Sequence, residues 1–296
     1  VTEQARALAF VHASVVLWGF TAILGKLISL PAAALVWWRM LLVAGMLAVL
    51  PRVWRGLAAM PLRLMLTLAA IGIVVALHWL TFYASIKLAN ASVAATCMAL
   101  GAVFAALIEP FWVGRRFRWP DLATGVAAVP GVLLVVGALP ETMRVGFAVG
   151  VVSAFLTAVF TVLNKRFATG ADPLAVTAIE MTSGWLFLWA LLPALAWLPG
   201  GEVTLSLPDA RDAILLVVLA LFCTIVPFAL SLVALRQVSA FSLQLAVNLE
   251  PIYAIGLAML LLGEHRELTP AFYLGVAIVL AAVFLEPVLA RRGKRT

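Results

Sequence analysis

About ten stretches of roughly twenty apolar residues, joined by short connectors, leave this chain one general way to fold. A helix needs about 20 residues to cross the hydrocarbon of a bilayer, and inside lipid each backbone N–H and C=O must find its partner within the segment. The stretches run over approximately 7–28, 32–51, 62–86, 91–113, 119–139, 145–167, 173–198, 210–235, 240–262 and 270–289. Composition agrees: 65% of residues are hydrophobic, 11% are charged, and the mean hydropathy is +1.15. Soluble domains run near half apolar and about a quarter charged. The expectation is an all-α membrane protein with about ten transmembrane helices. The first stretch carries Trp18 and Lys26 and has no small-residue cleavage site, so it reads as a span rather than a signal peptide.

The net charge of +7 does not point to nucleic acid, because the basic residues form short clusters between apolar runs. Their distribution sets orientation instead. One side of the membrane collects Arg6, Arg52, Arg55, Arg63, Arg115, Arg116, Arg118, Lys165, Arg166, Arg236, Arg291, Arg292, Lys294 and Arg295; the other holds Lys26, Lys87, Arg144, Arg211 and Arg266. Positive-inside bias places both termini in the cytoplasm.

Two segments roughly 150 residues apart resemble each other. Asn90-Ala91-Ser92 leads to Leu100-Gly101-Ala102 and then Gly114-Arg115-Arg116. Ser239-Ala240-Phe241 leads to Leu249-Glu250-Pro251 and then Gly263-Glu264-His265. The closing loop is basic in one copy and near neutral in the other. Residues 1–140 and 141–296 each hold five spans, an odd number, so the second copy enters from the opposite side. Two inverted five-helix repeats follow, an arrangement common in transporters.

Ionisable groups within spans are costly and point to function. Glu250, followed by Pro251, suits binding of a cationic group or carriage of a proton, or a carboxyl that ties neighbouring helices together. Arg39 and Glu180 occupy matching places in spans two and seven, each followed by Met, as packing groups or as a gate. His78, followed by Trp79, suits a carboxylate or a proton, or is a satisfied core histidine; Phe82 and Tyr83 follow as candidates for a cavity wall or a lipid face. Gln244 and Asn248 share a helix face at i, i+4 spacing. Pro227 and Pro251 lie well inside spans, at places whose repeat mates, His78 and Ala102, are not proline, and are the hinge candidates. Glu109 is expected to pair with Arg115 or Arg116. Cys97 and Cys223 lie in apolar runs as small hydrophobes. No metal spacing, phosphate loop or nucleophile–base pattern is present, so neither a cofactor nor an enzyme activity is expected.

Leu17-Trp18-Gly19-Phe20, Asn90-Ala91-Ser92-Val93-Ala94-Ala95 and Leu249-Glu250-Pro251-Ile252-Tyr253 with Leu262-Gly263-Glu264 together resemble the EamA-type exporters of the drug/metabolite transporter superfamily. The His78-Trp79 pair, the aromatic third span and Trp18 are most similar to YddG-like exporters of aromatic amino acids. The resemblance implies a multi-pass protein of the bacterial inner membrane with cytoplasmic termini. It implies export of a small molecule, a neutral and often aromatic amino acid. Trp18, His78, Trp79 and Tyr83 would contact the side chain or carboxylate, and Gln244 or Asn248 the polar end. The first span lacks the acidic residue that small multidrug exporters use there, which argues against a cationic drug. Export of another metabolite or drug remains the alternative within the superfamily, and a non-transporting scaffold the alternative outside it. Oligomeric state is not legible.

Overall fold

A computed structural model describes residues 3–114, 119–196 and 205–292, and among these there is no strand. The helices are α1 (Glu3–Leu27), α2 (Ala32–Ala48), α3 (Pro51–Ala58), α4 (Leu62–Leu88), α5 (Ala91–Met98), α6 (Gly101–Val113), α7 (Trp119–Ala138), α8 (Glu141–Phe167), α9 (Pro173–Ala196), α10 (Ala210–Ala220), α11 (Val226–Ala234), α12 (Ala240–Val247), α13 (Glu250–Leu257) and α14 (Pro270–Arg292). A π-helical stretch, Leu221–Ile225, joins α10 to α11. Among the described residues seven helices are long and apolar enough to cross a membrane, or eight with α2 and α3 taken as one bent span.

Local chemistry explains where helices start and stop. Asn90, Asp209 and Ser239 cap α5, α10 and α12 by accepting from the backbone N–H groups of Val93, Asp212 and Ser242. Gly114 and Gly263 end the matching helical segments with φ of 72° and 70°, a left-handed conformation that favours glycine. The second expected span, 32–51, ends earlier. Leu50 is held extended by the proline that follows it, and α3 departs from α2 at 87°. This helix, with Arg52, Trp54 and Arg55, is anchored to the start of α9. Arg52 Nε donates to Asp172 Oδ2 at 2.8 Å, and Asp172 Oδ1 accepts from the Leu174 and Ala175 amides. Burial favours the protonated Asp172, but Arg52 and the amide donors prevail and hold the carboxyl below its ordinary range.

Polar contacts at the helix ends fix which way each helix runs. At one end Gln237 reaches Glu3, Arg236 reaches the Ala171 carbonyl, Lys165 Nζ reaches the Leu235 carbonyl, and Glu109 accepts from the Ala240 and Phe241 amides. At the other, Ser29 donates to Asp212, Lys87 Nζ to the Ile28 carbonyl, and Ala91 and Ser92 to Glu264. Thus α1 begins where α8 ends, α2 ends where α9 begins, and α5 and α12 begin at opposite ends. Arg52, Lys165, Arg166 and Arg236 all gather at the first end.

The packing repeats in the same sense. Helix α4 lies on α8 and α9 as α1 and α2 lie on α11 and α10, while α2 meets α9, α6 meets α12, and α7 meets α14. The last pair touches backbone to backbone. A Cβ on Gly131 would come 2.7 Å from the Gly275 carbonyl oxygen, and one on Gly275 would come 2.8 Å from the Gly131 oxygen. Small residues at such a crossing allow close packing without help from the hydrophobic effect. The expected Glu109 pairing involves Arg115 and Arg116, which lie outside the described residues. What the structure adds is that the Glu109 and Glu264 carboxylates each cap the start of the opposite half's crossing helix, α12 and α5.

Replacing Gly275 by Leu should force α7 and α14 apart and lower the thermal midpoint in detergent, at about 1–3 kcal/mol for overpacking. Gly137→Ala, where a Cβ meets nothing within 4 Å, should leave the midpoint unchanged. Because the Asp172 value is depressed on folding, its stabilisation is present above the ordinary carboxylate range and lost as pH falls through the lowered value. Amide exchange in α3 should quicken over that acid interval, and Asp172→Asn should remove the step.

Candidate functional site

A cavity of about 70 Å³ lies between the two halves, walled by α1, α2, α4, α5, α8, α11, α12 and the first residue of α13. Trp18, His78, Trp79, Gln244, Arg39 and Glu250 all line it. Tyr83, Asn248 and Glu180 do not; they are fully buried behind it. Wall residues Thr161, Asn164, Leu232, Leu235 and Leu243 follow α8 and α11 toward their ends and α12 toward its start, which is the basic end of the bundle.

The aromatic wall centres on Phe228. Its ring stacks at 16° on Phe160 with centroids 6.1 Å apart and takes the edges of Trp79 at 5.8 Å and Trp18 at 6.4 Å. Trp79 and Phe228 sit at matching places in the two halves, so the wall is built across the repeat. Phe160 was not singled out from the sequence. The signal existed: Thr157, Phe160, Thr161 and Asn164 recur at i, i+3, i+4 and i+7, which puts the ring on the one polar face of α8.

Arg39 is held by three elements. Its Nε donates to Thr224 Oγ1 at 2.8 Å, Nη1 to the Tyr83 hydroxyl at 2.6 Å, and Nη2 to the Cys223 carbonyl at 3.0 Å. The guanidinium lies 3.7 Å above the Trp79 ring, a cation–π contact. The Cys223 carbonyl lies where proline interrupts the α-helical ladder. In an α-helix it would accept from residue 227, but Pro227 has no N–H. The π-helical stretch sits where that bond is missing, and Arg39 supplies the lost donor from a neighbouring helix. Tyr83 therefore acts on the cavity through Arg39, and Gly25 leaves the room its ring needs, since a Cβ there would run into it.

Two partners fix His78. Its Nδ1 is 3.0 Å from the Ser153 carbonyl and 2.8 Å from Ser153 Oγ, while Ser153 Oγ donates to the His78 carbonyl at 2.9 Å. A carbonyl only accepts, and the hydroxyl proton is already used, so these contacts assign the ring proton to Nδ1. With the proton on Nδ1, a neutral ring has Nε2 as its acceptor. Gln244 Nε2 donates to Thr161 Oγ1 at 2.8 Å, and Gly101, the repeat mate of Glu250, makes room for the Gln244 amide oxygen. The Glu250 carboxyl forms no ion pair or hydrogen bond among the described residues, the Asn248 amide has no hydrogen-bond partner there, and the Glu180 carboxyl lies close to the Asn164 side chain but outside strict hydrogen-bond geometry.

Pro251 opens α13 just after the interruption at Asn248–Leu249. The matching span is interrupted at Ala99–Leu100 without a proline, so proline is not what creates the break. No group of three or more metal-ligating side chains occurs among the described residues.

Pro227→Ala restores the N–H that the Cys223 carbonyl lacks. The π stretch should relax toward α-helix and the thermal midpoint in detergent should rise; a lowered midpoint would show that the missing N–H is not what the π stretch answers.

A solved crystal structure of a protein superposes with a TM-score of 0.67 over 97% of this chain and 98% of its own, at 16% identity, which establishes a shared fold. No curated protein matches the sequence. The EamA-like transporter family model matches twice, over residues 5–137 and 144–286. The chain is a member of the EamA-like transporter family, multi-pass membrane transporters of small molecules rather than enzymes.

Proposed function

We propose that the protein exports neutral amino acids, aromatic and other large ones, across the bacterial inner membrane by alternating access. The observation that carries this reading is the cavity between the halves, whose aromatic wall adjoins one cation and one carboxyl. A large apolar side chain matches the Trp18, Trp79, Phe160 and Phe228 surfaces, and the polar end of an amino acid matches Gln244 and the charged groups. Ten spans in two inverted five-span repeats, with both termini cytoplasmic, are the topology we assign. The gathering of Arg52, Lys165, Arg166 and Arg236 at one end supports that orientation. On that orientation the wall residues nearest the basic end would lie on the cytoplasmic side, where an exporter loads.

In the cycle the halves rock about the α10–α11 junction at Pro227 and the α12–α13 break at Pro251. Glu250, Arg39 and Glu180 are the groups through which coupling or gating would act. An exporter of another small metabolite in the same family is the competing reading, favoured only by the family's breadth.

Proteoliposomes loaded with labelled phenylalanine, tryptophan, methionine, threonine, a sugar or a cationic dye decide between them, run with and without a pH gradient. Phenylalanine and tryptophan should leave and the sugar and dye should stay. Exit of the dye alone would end the amino-acid reading.

A further inference from the structure

Arg39 and Glu250 face one cavity from opposite halves of the protein, at 1% and 6% exposure. Neither makes an ion pair among the described residues, with the other or with any third group. A buried charge without a counter-charge is costly, and a site holding one of each sign is completed by a ligand bearing both. Arg39 has five N–H donors, and the protein engages three of them. Two remain for a carboxylate. Glu250 is an acceptor with no donor. His78 has spent its Nδ1–H on Ser153, so that nitrogen is not available to a carboxylate.

We propose that Arg39 binds the substrate carboxylate and Glu250 the substrate ammonium, so that the cavity selects zwitterions over molecules carrying only one of the two charges. This rests on the amino-acid reading above and divides the labour within it. Arg39 also ties the carboxylate to the hinge. The side chain that binds it is the one that satisfies the Cys223 carbonyl and holds Thr224 in the π-helical stretch. Substrate in the cavity thereby competes for the donors that keep α10 and α11 in their present relation.

The test is competition against labelled phenylalanine in proteoliposomes. The competitors are unlabelled phenylalanine, 3-phenylpropionate, which lacks the ammonium, and 2-phenylethylamine, which lacks the carboxylate. In the native protein each single-charge analogue should compete about tenfold or more weakly than phenylalanine, the scale of one lost charge-assisted hydrogen bond. Glu250→Gln should weaken phenylalanine by a similar factor and leave 3-phenylpropionate unchanged or improved. Arg39→Gln should do the converse for 2-phenylethylamine. Arg39→Gln also removes three internal hydrogen bonds, so Glu250→Gln, whose parent carboxyl makes none, carries the test alone if the arginine variant fails to fold. Native-like competitor ratios in Glu250→Gln would overturn the charge assignment while leaving amino-acid export intact. A native protein that moves no phenylalanine would overturn both.

Discussion

Inside a bilayer a backbone carbonyl has no water to turn to, and the hydrogen bond from Arg39 to the Cys223 carbonyl answers that constraint. Pro227 removes the α-helical donor, and Arg39 reaches across from α2 to supply one. A guanidinium is suited to the task because its donors are fixed in a plane and it remains charged. Once it is there, the rest of the cavity wall follows. Tyr83 takes a second donor, Thr224 a third, and Trp79 covers the cationic face. Gly25 leaves room for the Tyr83 ring. A cation is thereby placed beside the aromatic cluster around Phe228, where the proposed ligand-binding role would fall on a side chain that already has a structural one.

The two halves agree in scaffold and differ in chemistry. Their shared parts are those that hold helices together: the Gly131–Gly275 crossing, the left-handed glycines at 114 and 263, and the carboxylate caps on α5 and α12. The caps show how a repeat keeps a function while its sequence drifts. Glu264 belongs to the loop after α13, whereas Glu109 belongs to α6 itself, yet each closes the start of the opposite half's helix. Of the unshared pairs, one member of each lines the cavity: Arg39, Glu250 and His78. Arg39 answers to Glu180, Glu250 to Gly101, and His78 to Pro227.

Much of the frame was legible in the sequence because hydrocarbon thickness and backbone pairing allow few alternatives. Apolar length pointed to long helices. Among the described residues seven, or eight with the bent pair, are long and apolar enough to cross a membrane, rather than the ten expected. Four of the basic residues assigned to one side, Arg52, Lys165, Arg166 and Arg236, do gather at one end. The turn of α3 away from α2 was not anticipated, since its apolar residues continue the run and only the Leu50-Pro51 step marks the bend. Trp18, His78, Trp79 and Gln244 reach one cavity because a polar or amphipathic side chain in a span faces protein more often than lipid. The roles of Tyr83 and Arg39 were less legible. Nothing in the order of residues says that the carbonyl left bare by Pro227 is served from α2, about 185 positions away in the chain. Glu264 looked like a loop charge for the same reason, because its partners at Ala91 and Ser92 are remote in sequence.

The central claim is that one cavity holds the two charged ends of an amino acid between Arg39 and Glu250. A cryo-electron microscopy map of the protein in nanodiscs with saturating phenylalanine tests it most directly. Density for the ligand should appear among Trp18, Trp79 and Phe228, with its carboxylate against Arg39 and its ammonium against Glu250. An empty cavity, or phenylalanine bound elsewhere on the protein, would contradict it.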